Sequence, residues 1–236
     1  MKKMEIAIST WQEIMIQESS RPWSTRLNSG EMKLCHYKGF LLETFHNTSK
    51  NPQLQAFSTI FFKNISHAVT KKFFLHASSE VTHEILAFKD LLNLGVPQKL
   101  IESSLPLPTT RALSALAIHN LIFESPIKYL GYLFHLEYTP MVNGPKIIEM
   151  LKSLGIPEQA LTFINEHAKV DPAHVKMLAE YMEELVKTDS DIEQLKIGIR
   201  DFVVLHNRML EGAFENGEKL FSKDELNDSG TNLKYA

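Results

Sequence analysis

The chain has one cysteine, Cys35, in 236 residues. That excludes an intramolecular disulfide and points to a reducing, cytoplasmic setting. Long hydrophobic runs are missing too: the most apolar stretch, Leu113 to Phe123, is far short of the roughly 20 residues that span a bilayer. No membrane span is expected, and Met1-Lys2-Lys3 is not followed by the apolar segment of a secretory signal. Positive charge is not in excess. A formal net charge of -3 provides no basic face to neutralise phosphates, so nucleic acid is not an expected partner. Sustained apolar–polar alternation bounded by turn residues is also absent, which removes the sheet-based classes.

What is present is apolar spacing of three and four residues along nearly the whole chain, the mark of an all-α protein. With 44% hydrophobic and 22% charged residues, a chain of this length can bury roughly three quarters of its unfolded surface in one core. The expected organisation is one helical domain over residues 1–221 and a flexible tail over 222–236, where Asp, Asn, Ser, Gly and Thr collect. Turn residues divide the domain. A helix to about Gln17 precedes a loop with Arg21-Pro22 and Asn28-Ser29-Gly30; another spans about Glu31 to Asn47. Asn51-Pro52 opens a helix expected to run past Phe74, because Asn caps exposed amides and Pro suits the first helical position. A helix over Glu80 to Leu94 stops at Gly95-Val96-Pro97. Thr109 to Phe123 follows, then a helix from Pro126 closed by Pro140 and Asn143-Gly144-Pro145, and a short helix to Leu154. Segments over Glu158 to Lys169, Pro172 to Lys187 and Asp189 to Phe214 complete the domain.

The sharpest motif is His167-x3-Asp171-x2-His174. At 100° per residue, offsets of 4 and 7 bring Asp171 and His174 within about 40° of His167 on one helix face. Two imidazoles and a carboxylate suit iron, manganese or zinc, and three ligands from one helix leave coordination positions open. The competing reading is that Asp171 caps a helix starting at Pro172, because a residue before proline is biased out of the α region.

Two further elements fit the same chemistry. His76, Glu80, His83 and Glu84 form one stripe if their helix is continuous, and Glu80-x2-His83 pairs a carboxylate with an imidazole. Glu137 lies in an apolar run, Leu133 to Tyr138, where burial demands a cation or a raised pKa. Dinuclear sites in helical bundles combine lone Glu residues with Glu-x2-His pairs. Glu80, His83, Glu137, His167, Asp171 and His174 supply three carboxylates and three imidazoles from three helices.

This set resembles the haem-oxygenase-like diiron oxidases, which carry a Glu and a His on one core helix, a lone Glu on the next and His-x3-Asp-x2-His on a third. His83-Glu84-Ile85-Leu86-Ala87-Phe88 followed by Leu94-Gly95 is similar to that family's His-led helix, and the likeness covers about residues 31 to 215. One departure is His76, which stands where some members have Glu; Glu80 is then the expected ligand, with His76 and Glu84 as substitutes. The resemblance implies a seven-to-nine-helix haem-oxygenase-like (TenA/PqqC-like) bundle. It also implies two bound irons, with manganese as an alternative, and dioxygen as co-substrate. The substrate would be a small organic molecule, and a homodimer follows by analogy.

Several residues take plainer readings. Glu43-x2-His46 imitates the motif but is expected at the pocket wall or surface, and His206 is expected as a satisfied core histidine. Phe45, Phe57, Phe61, Phe62, Phe134 and Tyr138 are candidates for an apolar pocket wall that would suit an amphiphilic or aromatic molecule. Two other functions compete. A metal-free thiaminase-like hydrolase or ligand-binding protein would use Cys35 as its nucleophile, and a non-enzymatic helical interaction protein would leave the six residues without a role.

Overall fold

The computed structural model describes residues 2–228, with side chains through Ser222. Among the described residues it is helical throughout: α1 (Lys2–Glu18), α2 (Pro22–Ser29), α3 (Leu34–Thr48), α4 (Asn51–Ser58), α5 (His67–Ser79), α6 (His83–Asn93), α7 (Gln98–Ser103), α8 (Pro108–Phe123), α9 (Ile127–Ser153), a 3-10 turn (Glu158–Ala160), α10 (Thr162–Leu185) and α11 (Asp189–Asp228). The all-α expectation holds. The expected tail falls partly on α11, and residues 229–236 lie outside the described residues.

Proline sits in the first turn of α2, α4 and α8, where its missing N–H has no intrahelical partner to lose. That placement makes Pro22 the start of a helix, although the sequence around it reads as a loop. The reverse happens within α9 and α10, which run unbroken through Pro140, Pro145 and Pro172. Each interior proline forfeits a backbone hydrogen bond, but each helix is anchored at both ends in apolar packing. In α9 these anchors are Tyr129 to Phe134 and Leu151; in α10 they are Phe163 with Ile164, and Leu178 with Tyr181. Tertiary burial outweighs the local signal, so Asp171 is an interior helical residue and not a cap.

The helix expected from Asn51 past Phe74 is divided. The chain turns at Asn64, whose φ is 60°, and restarts at Ser66, whose hydroxyl accepts the Val69 amide at 3.2 Å. Glu184 of α10 holds that start from outside, accepting the Ser66 amide at 2.6 Å and its hydroxyl at 2.7 Å. A second break separates α5 from α6 at Thr82, with φ of 80°, so the condition for a single stripe of His76, Glu80 and His83, a continuous helix, is not met.

Two close helix crossings set the frame. A Cβ on Gly131 of α9 would strike the backbone at Gly198 and Ile199 of α11, and one on Gly39 of α3 would strike the backbone at Ala213 and Gly217. Bare glycines let α11 lie directly against α9 and α3. Asp90 of α6 caps α10, accepting the Thr162 amide at 3.0 Å, the Thr162 hydroxyl at 2.6 Å and the Phe163 amide at 2.9 Å. In both α9 and α10 the polar residues of interest occupy the stretch between two apolar anchors. No helix of the described residues is long and apolar enough to cross a membrane.

Candidate metal centre

The breaks and continuities of the helices converge on one buried cluster. The α5–α6 turn brings Glu80, the residue closing α5, beside His83, which opens α6: His83 Nδ1 lies 3.0 Å from Glu80 Oε2. Across from them α10 presents His167, Asp171 and His174, all buried, on the single face that the 0, 4, 7 spacing requires. From α9 comes Glu137, whose Oε1 accepts from His76 Nε2 at 3.0 Å and whose Oε2 accepts from His174 Nδ1 at 3.0 Å.

These side chains form two groups that share one residue. His76, Glu80, Glu137 and His174 have ligand atoms within 4.8 Å of one another, and so do Glu80, His83 and His167. Glu80 turns one oxygen to each: Oε1 is 3.3 Å from His174 Nδ1, and Oε2 is 3.0 Å from His83 Nδ1 and 3.9 Å from His167 Nε2. The His76 and His174 rings lie 4.0 Å apart and the His83 and His167 rings 4.8 Å apart. Five of the six expected residues thus enter the groups. Asp171 stands outside both, although it is completely buried and senses the Glu80 and Glu137 charges. Glu84, the other suggested substitute, is in neither.

His76 is the residue the sequence undervalues. It joins Glu80 instead of replacing it, and the signal was its place one helical turn before Glu80. That spacing is visible in the sequence, but a His where the resembled family has Glu makes it read only as a substitute for Glu80.

The polar atoms in the cluster are not satisfied by the protein alone. Both Asp171 oxygens, Glu80 Oε1 and His76 Nδ1 are buried without a hydrogen-bond partner. Buried polar atoms are normally paired, and carboxylates left unpaired out of water are costly. Burial, with Glu137 and Glu80 nearby, pushes the Asp171 carboxyl up to about 10. Burial also acts to raise Glu137, but His76 and His174 outweigh it and hold that carboxyl below the usual range. A hydrogen bond to Glu80 raises His83, whereas burial lowers His167. His167 Nδ1 bonds the Phe163 carbonyl at 2.8 Å, which turns Nε2 toward the cluster. A backbone partner on one ring nitrogen is the usual way a metal-binding imidazole is oriented. The donor set, oxygens with imidazoles and orphaned carboxylate atoms between them, fits divalent iron.

A cavity of about 210 Å³ adjoins Glu80, Glu137 and His167, walled by α1, α2, α3, α4, α9, α10 and α11. Phe40, Phe163, Phe214, Trp23 and Tyr37 supply its aromatic surface. None of the aromatics expected in the wall lines it. Phe62 packs on Phe73 and Phe134 on Tyr138, as core. Cys35 is 1% exposed and is not a wall residue either, so the thiol needed for a thiaminase-like reaction does not reach the cavity. Glu43 is neither wall nor surface: it is completely buried and accepts the Leu107 amide and the Thr110 hydroxyl, tying α3 to the start of α8.

The chain belongs to a family of iron-containing redox enzymes, whose model matches residues 61–205, the segment that holds all seven residues above. Its fold is haem-oxygenase-like. A domain of unknown function with that fold from Shewanella denitrificans OS217 is 25% identical, with a TM-score of 0.78 over 98% of this chain and 95% of that one. A TenA homologue from P. horikoshii OT3 is 15% identical, with a TM-score of 0.67 over 91% and 97%. A CADD-like protein of unknown function from Nostoc punctiforme PCC 73102 is 12% identical, with a TM-score of 0.64 over 92% and 96%. At such identities the last two bear on the fold alone. No curated protein matches the chain.

Proposed function

We propose that the protein is a non-haem dinuclear iron oxidase that uses dioxygen to oxidise a small, largely apolar organic molecule. The observation that carries this reading is Glu80, a carboxylate with one oxygen facing each of two histidine-bearing groups, as a bridging ligand would be placed. His76, Glu137 and His174 would hold one metal, and His83 and His167 the other. Asp171 would be a further carboxyl beside that site. Bound iron would supply dioxygen activation and electron transfer at its open positions.

The chain's own residues do the rest. Phe163 positions His167 through its carbonyl, and Asp90 positions the whole first turn of α10. Apolar walls keep water from the cluster and hold the substrate against Glu80 and Glu137.

Anaerobic titration with ferrous iron tests the reading, with uptake near two equivalents per chain expected. His83→Ala should remove one equivalent and leave the other, and Glu80→Ala should weaken both. Uptake of one equivalent or none by the unaltered protein would end the dinuclear proposal. Manganese titrated in parallel shows which metal the site prefers. Oxygen consumption by the iron-loaded protein, screened against fatty acids, amino acids and aromatic amines, then tests the oxidase activity.

A further inference from the structure

The cavity has a second polar feature that the metal groups do not use. Trp11 Nε1 donates to His135 Nδ1 at 3.2 Å and to Thr139 Oγ1 at 3.1 Å. An indole N–H can only donate, so His135 Nδ1 accepts and its ring hydrogen is on Nε2. That Nε2 lies 3.0 Å from His206 Nδ1, with the two rings nearly perpendicular at 73°. His206 Nδ1 therefore accepts in turn, and its own hydrogen is on Nε2. The Thr139 hydroxyl, 3.0 Å from His135 Nδ1, can donate to it in this tautomer. The assignment runs outward from the indole N–H, shared between Thr139 Oγ1 and His135 Nδ1, and the histidine tautomer is what the test below reads.

The relay ends at the cavity. His135, Thr139 and His206 all line it, and His206 Nε2 has no hydrogen-bond partner among the described residues. The remaining wall carries no lysine or arginine, and its only carboxylates are Glu80 and Glu137. An oriented neutral donor in a mostly apolar wall, whose other polar side chains such as Asn47, Gln55 and Asn207 are uncharged apart from Glu80 and Glu137, complements an uncharged oxygen acceptor. In the metal-free protein a free carboxylate there would lose its hydration and find no counter-charge.

We propose that His206 is a specificity-determining residue whose Nε2–H receives the carbonyl oxygen of an uncharged, otherwise apolar substrate. Trp11 and His135 act through it as positioning residues. The word substrate rests on the iron reading above, whereas the ligand class is read from the cavity alone.

The test uses metal-free protein held in EDTA. Binding of 4-phenylbutan-2-one, 4-phenylbutanoate and butylbenzene is followed by quenching of the two tryptophans, one in the relay and the other in the cavity wall. The ketone should bind about tenfold more tightly than either comparison compound. His206→Phe should bring ketone and hydrocarbon to equal affinity. Nitrogen-15 NMR of labelled histidines should show His206 as the Nε2–H tautomer, with a tautomer mixture after Trp11→Phe, a signature that a purely packing role for Trp11 would not produce. The proposal is overturned if the carboxylate binds as well as the ketone, if the ketone preference survives His206→Phe, or if His206 carries its hydrogen on Nδ1. Ketone preference without iron uptake would sink only the iron reading; iron uptake without ketone preference would sink only this one.

Discussion

Asp90 Oδ2 accepts the Phe163 amide at 2.9 Å while its other oxygen accepts the Thr162 amide at 3.0 Å, so a residue of α6 holds the first turn of α10. The same two helices carry His83 and His167, one of the two histidine pairs of the cluster. Asp90→Ala should therefore act twice. Loss of a buried cap leaves two amides unpaired and costs about 2 kcal/mol in urea unfolding. It should also loosen His167 and weaken the metal bound with His83 more than the metal bound with His174. Stepwise iron titration of Asp90→Ala checks this, and equal weakening of both steps would remove Asp90 from the site's architecture.

Asp171 is completely buried, and neither of its oxygens has a hydrogen-bond partner. A group that burdens the metal-free fold and serves the loaded one should show opposite effects on removal. Asp171→Asn should raise the unfolding free energy of the metal-free protein by about 1 kcal/mol, because it removes a carboxyl that must take up a proton on folding beside Glu80 and Glu137. The same change should lower iron affinity. Differential scanning calorimetry with and without ferrous iron reads both. A fall in metal-free stability would mean that Asp171 is a structural residue.

The site was legible in the sequence to the extent that a single helix carries it. His167, Asp171 and His174 fall on one face at 0, 4 and 7, and the structure keeps that face intact. The sequence argued against this continuity at Pro172, as it did for α9 at Pro140 and Pro145, because a local proline signal contains nothing about the apolar anchors on either side. Around Glu80 the sequence offers one stripe from His76 to Glu84 only if the helix is continuous; the chain turns at Thr82, and that turn folds Glu80 between His83 and His174. His76 is visible beside Glu80 in the sequence, but its contact with Glu137, 61 positions away, is not. His135 and His206 are invisible as a pair because each sits among apolar residues that read simply as core.

Gly131 and Gly198 face each other where α9 crosses α11, and a Cβ on either would meet backbone atoms of the other helix. Flexible side chains can step aside, but backbone in a packed helix cannot. Gly131→Ala should cost about 2 kcal/mol or more despite the better helix propensity of alanine. Because α9 carries Glu137, the displacement should also reduce iron uptake. Urea unfolding and iron titration of Gly131→Ala measure the two effects. Stability equal to the unaltered protein would mean that the helices separate freely, and the crossing would not be what sets the position of Glu137.

His206 is held neutral by burial, its imidazole down at about 4, well under the ordinary value near 6.5. Burial, with His206 beside it, lowers His135 as well. A histidine whose pKa is depressed in the folded state binds its proton more readily when unfolded. The stability this confers is fully present above the unfolded value of about 6.5 and is lost as pH falls through about 4. For His206 alone the span corresponds to about 3 kcal/mol. Metal-free protein should thus unfold at lower urea at about pH 5 than at about pH 7, and His206→Phe should flatten that dependence while the His135 contribution remains. Metal-free protein is required because acid also protonates the carboxylates and imidazoles of the cluster and would release iron. If His206→Phe keeps the full acid dependence, the imidazole titrates at an ordinary pH. It would then be hydrated and not a neutral member of the buried relay.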